Sequence, residues 1–183
     1  GHMSLIEIGK VNTDIVVCSI FVNPTQFNDP KDLEKYPRPE KADIAKLEQA
    51  KCDILFLPSI AEMYSTSEEW HIDLGYLETV LEGKFRPGHY QGVTQIVKKL
   101  FDVVKPDKAF FGQKDFQQVK VIRKLVEIFN IGVDIVMCPI LRESDGLAMS
   151  SRNIHLSNTE RTQALALYKA LVLTKQNSAL KTI

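Results

Sequence analysis

Three polar clusters in this sequence carry side chains suited to holding and activating an anionic small molecule. The first is Asn23-Pro24-Thr25-Gln26-Phe27. An Asn or Gln amide offers two donors and an acceptor, which suits a ligand bearing hydroxyl and carboxylate groups. The same residues also read as a turn built on Asn and Pro. The second cluster is Phe111-Gly112-Gln113-Lys114-Asp115-Phe116-Gln117-Gln118. Gly112 lets backbone approach a ligand closely, and Asp115 is placed to cap a following helix whose free N–H groups favour an anion. Lys114 supplies a point charge for phosphate; a plain capped helix with a surface lysine is the equal alternative. The third cluster is Leu147-Ala148-Met149-Ser150-Ser151-Arg152-Asn153, aimed by a turn at Asp145-Gly146. Two hydroxyls beside a permanently charged, forked guanidinium suit a polyphosphate. A Ser-rich connection ahead of the last helix is the competing reading.

Two further segments are weaker. Residues 82–89, with Arg86 and His89, form a Gly/Pro-punctuated stretch that reads as a loop rich in functional side chains. Tyr36-Pro37-Arg38 precedes Asp43, which either helps hold Mg²⁺ through phosphate-bridging water or is a solvated helix residue. Neither GxGxxG nor GxxxxGK[ST] occurs, which leaves the ordinary dinucleotide and P-loop sites unsupported. His71 and His155 lack metal-like spacing, and no Ser-His-Asp arrangement supports Ser150 or Ser151 as a nucleophile.

These clusters must be positioned by the elements around them. Residues 14–22 are β-branched and nearly unbroken, as a strand buried on both faces should be, and 53–57 read the same way. Strands are also expected at 108–111 and 132–138, with a short edge strand at 71–74. Helices are expected at 4–11, 41–51, 92–104, 116–129 and 159–175, with 23–38 a polar loop. The 92–104 helix places Val93, Ile96, Val97, Leu100 and Val104 on one stripe, and the last helix carries Leu165, Leu167, Leu171 and Leu173. Strand-helix alternation predicts a doubly wound α/β fold with a parallel sheet, which binds ligands beyond the carboxyl ends of its strands. The three clusters fall at those ends.

Composition narrows the partners. Lys+Arg and Asp+Glu balance at 23 each, which argues against broad capture of nucleic acid or an anionic membrane surface. No apolar run has the length of a membrane-spanning helix, and the start GHMSLIEIGK lacks the blocks of a signal peptide. The odd number of cysteines, Cys18, Cys52 and Cys138, in or beside apolar runs favours reduced core thiols and a cytoplasmic setting.

Taken in order, FVNPTQF, DLEKYPR, EGKFRPGHYQGV, FGQKDFQQ and DGLAMSSRN resemble the successive motifs of the pantothenate synthetases, covering residues 14–153. That family belongs to the nucleotidyltransferases sharing a HIGH-type signature with class I aminoacyl-tRNA synthetases, and MSSRN resembles the counterpart of their KMSKS loop. The resemblance implies a Rossmann-like fold and an AMP-forming ligase. Such an enzyme joins pantoate to β-alanine through pantoyl adenylate, with ATP as substrate and Mg²⁺ as cofactor. It implies that Gln26 and Gln118 hold pantoate with Asn23 steadying the pocket, and that Arg86 and His89 line the substrate side. Lys114, Ser150, Ser151 and Arg152 would bind the phosphates, Gly112 and Asp115 would lie near the ribose, and Met149 near the adenine. Lys114 and Arg152, with His2 as the last histidine of an LHxGH-like pattern, would be catalytic. A homodimer is implied as well. Residues 1–153 would be the nucleotide- and pantoate-binding domain, and 154–183 the hinge and opening helix of a closing domain. A first strand and first signature histidine are expected ahead of this sequence. Gln113 stands where many relatives carry Glu. Another adenylylating enzyme of the superfamily and a nucleotide-binding fragment without turnover are the competing readings.

Overall fold

The computed structural model describes residues 1–36, 38–65 and 69–177. The chain divides into two compact units, one formed by His2–Pro139 and the other by Gly1 with Ile140–Ile183.

In the larger unit α1 (His2–Asn12) leads to β1 (Val17–Ser19), and a 3-10 turn over Pro24–Gln26 follows. Next come α2 (Pro30–Lys35), α3 (Glu40–Gln49), β2 (Ile54–Phe56) and α4 (Ile60–Met63). A second 3-10 turn at Gly75–Glu78 precedes α5 (Leu81–Phe85) and α6 (His89–Val104). The unit closes with β3 (Lys108–Gly112), a third 3-10 turn at Gln113–Asp115, α7 (Phe116–Ile128) and β4 (Asp134–Cys138). β1 pairs in parallel with β2, Cys18 opposite Leu55, and β3 pairs in parallel with β4, Phe110 opposite Val136. Helical crossovers between parallel partners are the arrangement the sequence pattern requires.

The main core lies between α6, α7 and β4. It contains Val93, Ile96, Val97 and Phe101 from α6, Val119, Ile122 and Leu125 from α7, and Ile135 from β4. Each such side chain contributes about 1.5–3 kcal/mol through burial. A smaller cluster of Ile6, Val16 and Leu47 fastens α1 and α3 to the start of the first strand pair. Lys10 and Asp53 reinforce it with a 2.9 Å ion pair, and Asp53 also accepts from the Val16 N–H at 2.8 Å.

Several expectations are corrected. Residues 71–74 form no strand, although Ile72 and Leu74 are buried. The Gln91 side chain meets the Ile72 backbone, accepting from its N–H at 3.0 Å and donating to its carbonyl at 2.9 Å. One amide thus takes the place of a neighbouring strand. The stretch 23–38 is not all loop, because Asp29-Pro30 starts α2. Asp29 Oδ1 accepts from the Lys31 N–H at 2.8 Å and Pro30 occupies the first turn, a strong start signal. Residues 82–89 likewise hold α5 and the first residue of α6 instead of an open loop. β1 is shorter than 14–22 and only half-buried at Val17 and Cys18, with Ile15 and Ile54 exposed beside it. α6 is covered on more than its predicted stripe: His89, Tyr90, Gly92, Thr94 and Gln95 are also buried, since neighbours pack on several sides of its first half.

The second unit begins with a tight hairpin closed by an Arg142–Ala148 bridge, then a 3-10 turn at Ser151–His155 and α8 (Asn158–Asn177). Ser157 and Glu160 cap the start of α8 reciprocally: the Ser157 N–H reaches Glu160 Oε2 at 2.9 Å, and the Glu160 N–H reaches Ser157 Oγ at 3.3 Å. Leu167, Leu171 and Leu173, among the apolar positions of this helix, are exposed. The end of the predicted 154–183 segment, and Pro37 of the Tyr-Pro-Arg cluster, lie outside the described residues.

Candidate active site

The loop after β1 delivers Gln26 through the Pro24–Gln26 turn, and that turn lies directly on α6. Gly92 makes this approach possible. A Cβ there would overlap the Thr25 carbonyl and stand 2.7 Å from Gln26 Cα. Asn23 is 2% exposed and locks the turn in place. Its Nδ2 donates to the Gly92 carbonyl at 3.0 Å, while Oδ1 accepts from the Tyr64 hydroxyl at 2.6 Å and from Thr25 Oγ1 at 3.2 Å. With both ends of its amide engaged, Asn23 holds the loop. The Gln26 side-chain amide, half-buried, has no hydrogen-bond partner among the described residues.

Arg86 and His89 meet the same turn from α5 and α6. His89 is 7% exposed, and its Nδ1 lies 2.8 Å from the Gln26 carbonyl. A carbonyl only accepts, so Nδ1 carries the proton, and Nε2 faces Arg86 Nη1 at 3.5 Å. Arg86 Nη2 also donates to the Gln26 carbonyl at 3.5 Å, and Glu82 lies 3.9 Å from its other nitrogen. Burial first, then the Arg86 charge, holds the His89 pKa below its usual 6.5, against the opposing hydrogen bond to Gln26. The folded state therefore binds this proton less readily than the unfolded chain. Stability from His89 is full above pH 6.5 and is lost as pH falls through the lowered folded pKa. We expect the urea midpoint of the His89→Gln variant to depend less on pH between about 7.5 and 5.5 than the wild type's; parallel profiles would remove His89 from this role.

The second cluster follows β3. Gly112 has open space where a Cβ would stand. Lys114 and Asp115 sit in the Gln113–Asp115 turn, exposed, with Lys114 Nζ 3.2 Å from Asp115 Oδ1. Asp115 occupies the N-cap position of α7 but makes no side-chain cap, a correction to the sequence expectation: its carboxylate turns to Lys114. The Asp115 charge is also felt at His89 and Tyr90, which places the two clusters within electrostatic reach. Burial pushes the Tyr90 hydroxyl up to about 12, keeping it neutral.

Two adjacent glutamines of α7 divide the work. Gln117 Nε2 donates to the Leu77 and Val80 carbonyls at 2.9 Å each, and Oε1 accepts from the Glu82 N–H at 3.1 Å. Gln118 has no side-chain partner among the described residues. Gln117 lies in the second cluster, and Gln91 and Gly92 in the EGKFRPGHYQGV motif, but the sequence alone gives none of them, nor Tyr64, a role.

The third cluster belongs to the smaller unit. Ser150 Oγ accepts from the Arg152 N–H at 3.3 Å, and Asn153 Nδ2 donates to the Ala148 carbonyl at 3.1 Å, which rigidify the Met149–Arg152 segment. His2 opens α1 and is exposed. Asp43 lies in the first turn of α3 with Lys46 Nζ at 3.3 Å. Among the described residues no group of three or more His, Cys, Asp or Glu side chains is gathered for a metal. All three cysteines are free thiols, and burial raises Cys18 to about 11.

A family model described as Pantoate-beta-alanine ligase matches residues 1–183. A pantothenate synthetase of Cytophaga hutchinsonii is 51% identical over 177 residues, 96% of this chain and 62% of that protein. One of Aquifex aeolicus is 48% identical over 176 residues, again 96% of this chain and 62% of its own length. The crystal structure of pantothenate synthetase from Thermus thermophilus superposes with a TM-score of 0.92 at 42% identity, covering 96% of this chain and 64% of that one. A pantoate-beta-alanine ligase from Francisella tularensis, complexed with Beta-gamma ATP and Beta-alanine, gives 0.88 at 41% identity, covering 94% and 66%. The chain spans 62% of the length of the first of these relatives.

Proposed function

The chain belongs to the pantoate–β-alanine ligase family, and on that premise we propose that it activates pantoate with ATP and transfers the pantoyl group to β-alanine. The observation that carries this reading is that two half-buried amides, in the loop after β1 and the first turn of α7, have no protein partner among the described residues. Asn23, Gln91 and Gln117 are engaged by the protein, whereas Gln26 and Gln118 keep their donors and acceptors available. A hydroxy acid such as pantoate is the complementary ligand.

In the first step a pantoate carboxylate oxygen attacks the α-phosphorus of ATP, the bond to the bridging oxygen breaks, and pyrophosphate leaves. The nucleophile is already ionised, so the step requires alignment of two anions and stabilisation of phosphate charge. Gln26 and Gln118 align pantoate. Asn23, and His89 and Arg86 through the Gln26 carbonyl, fix the turn that carries Gln26. Lys114 provides cationic charge for the phosphates, with Gly112 and Asp115 toward the ribose. Ser150, Ser151 and Arg152 carry a phosphate role in their own unit, Met149 an adenine role, and His2 that of the signature histidine. In the second step the neutral β-alanine amine attacks the acyl carbon, the bond from that carbon to the phosphate oxygen breaks, AMP leaves, and the nitrogen releases one proton to solvent.

Mg²⁺ enters as part of the MgATP substrate. Asp43, in the first turn of α3, is the protein group that would hold it, through phosphate-bridging water, and the cation would supply charge against the phosphates. Residues 1–153 as the binding domain and 154–183 as hinge and opening helix complete the proposal. So do a homodimer and a cytoplasmic location, the latter supported by the free thiols. No helix among the described residues is long and apolar enough to cross a membrane.

The test is isotope exchange between pyrophosphate and ATP, expected only when pantoate is present, followed by AMP release on adding β-alanine. Exchange driven by a different acid, with none from pantoate, would transfer the chain to another adenylylating activity. Gln118→Ala should weaken pantoate binding about tenfold, the size of one neutral hydrogen bond, and leave ATP affinity unchanged. An unaltered pantoate Kd would remove Gln118 from the site.

A further inference from the structure

The segment carrying Ser150, Ser151 and Arg152 is joined to α8 by a chain of contacts that catalysis as described above does not use. The link begins at the turn of the Arg142–Ala148 hairpin. Gly146 has φ +97, and a Cβ there would enter the Tyr168 ring, so the ring of α8 lies flush on the turn backbone. Arg142 covers the same ring, its Cζ 4.8 Å from the centroid, while its Nη1 donates to the Gly146 carbonyl at 3.0 Å. Two turns of helix earlier, Arg161 Nη2 reaches Asp145 Oδ2 at 2.8 Å. The other carboxylate oxygen, Oδ1, accepts from the Leu147 N–H at 3.1 Å. Arg161 Nη1 is buried without a hydrogen-bond partner, so packing commits this guanidinium to its position.

From the turn the constraint passes along the hairpin. The Glu143 N–H donates to the Leu147 carbonyl at 2.8 Å, and the Met149 N–H to the Leu141 carbonyl at 3.0 Å. Asn153 then closes back on the Ala148 carbonyl at 3.1 Å. No long flexible stretch separates α8 from Arg152. Each link is a short hydrogen bond or a ring in contact.

We propose that Arg142, Asp145, Arg161 and Tyr168 are positioning residues that set the Met149–Arg152 segment from α8, so that displacement of this helix re-aims the phosphate-binding side chains. This rests on the assignment of Ser150, Ser151 and Arg152 to phosphate. The consequence is a coupling between α8 and ATP engagement.

Two readouts separate this inference from the functional reading. The first is hydrogen exchange, which needs no activity. In Tyr168→Leu the Leu147 and Met149 amides should exchange at least about tenfold faster, whereas Tyr168→Phe, which keeps the ring, should match the wild type. Unchanged protection in Tyr168→Leu overturns the latch. The second is pyrophosphate–ATP exchange. Tyr168→Leu should raise the KM for ATP about tenfold or more, as expected for misplaced binding groups, with pantoate affinity unchanged. In an Arg152→Ala background the same substitution should add little; a full additive effect there overturns the proposal. If the wild type shows no pantoate-dependent exchange, the ligase reading fails and hydrogen exchange still decides the latch. If Tyr168→Leu does not fold, Arg161→Gln carries both measurements with the same expectations.

Discussion

Lys114→Ala should slow pantoyl-adenylate formation by about 10²-fold or more, the scale of removing one donor that acts on developing charge. Its environment explains the size. The ammonium sits at the end of β3 in a short 3-10 turn, and it meets the neighbouring Asp115 carboxylate at 3.2 Å on an exposed surface. That pair contributes little to stability, since an exposed ion pair is worth at most about 1 kcal/mol. The side chain is therefore available for a phosphate at little structural expense. The variant should keep its thermal midpoint while losing isotope exchange between pyrophosphate and ATP. Near-normal exchange would sink the assignment of Lys114 to the transition state, and a large drop in stability would show that its role is structural.

The second large effect is expected at a residue with no functional group. Gly92→Ala places a methyl against the Thr25 carbonyl and 2.7 Å from Gln26 Cα, backbone atoms that no rotamer change can move aside. The substitution must separate α6 from the Pro24–Gln26 turn, and a destabilisation of about 3 kcal/mol follows from overpacking of this kind. The Asn23 to Gly92 hydrogen bond of 3.0 Å and the His89 to Gln26 bond of 2.8 Å would stretch with it. Denaturant unfolding should show the stability loss, and titration with pantoate should show weaker binding in the fraction that remains folded. A variant with wild-type stability and pantoate affinity would mean that the turn does not need its seat on α6.

Much of the order of this fold was legible in the residues. α6 and α7 announce themselves through a sustained helical stripe, and β3 and β4 through short apolar runs flanked by polar punctuation. The five motifs and their spacing placed the chain in its family before any coordinate was needed. The departures have three causes: a partner that lies far along the chain, punctuation that starts a helix, and a neighbour that competes for the same group. At 71–74 the burial of Ile72 and Leu74 produces a strand-like pattern, but the partner is Gln91, 19 residues on and from a helix. At 82–89 and 30–35, Gly and Pro resemble loop punctuation where they start or interrupt short helices. Asp115 does stand at the cap position, yet its carboxylate turns toward a basic neighbour.

Local periodicity and residue types at fixed spacing are written along the chain. They were enough to establish the parallel α/β order and the family, and to propose polar residues from which a site can be built. How those polar residues divide was settled by tertiary contacts alone. Gln117 is spent on the Leu77 carbonyl, 40 residues away, while its neighbour Gln118 stays available. Asn23 became a brace, and Gly92 and Gly146 became the seats on which a turn and a tyrosine ring rest. An amide has the same chemistry in both roles. Whether it is engaged depends on which distant backbone group folding brings within 3.0 Å.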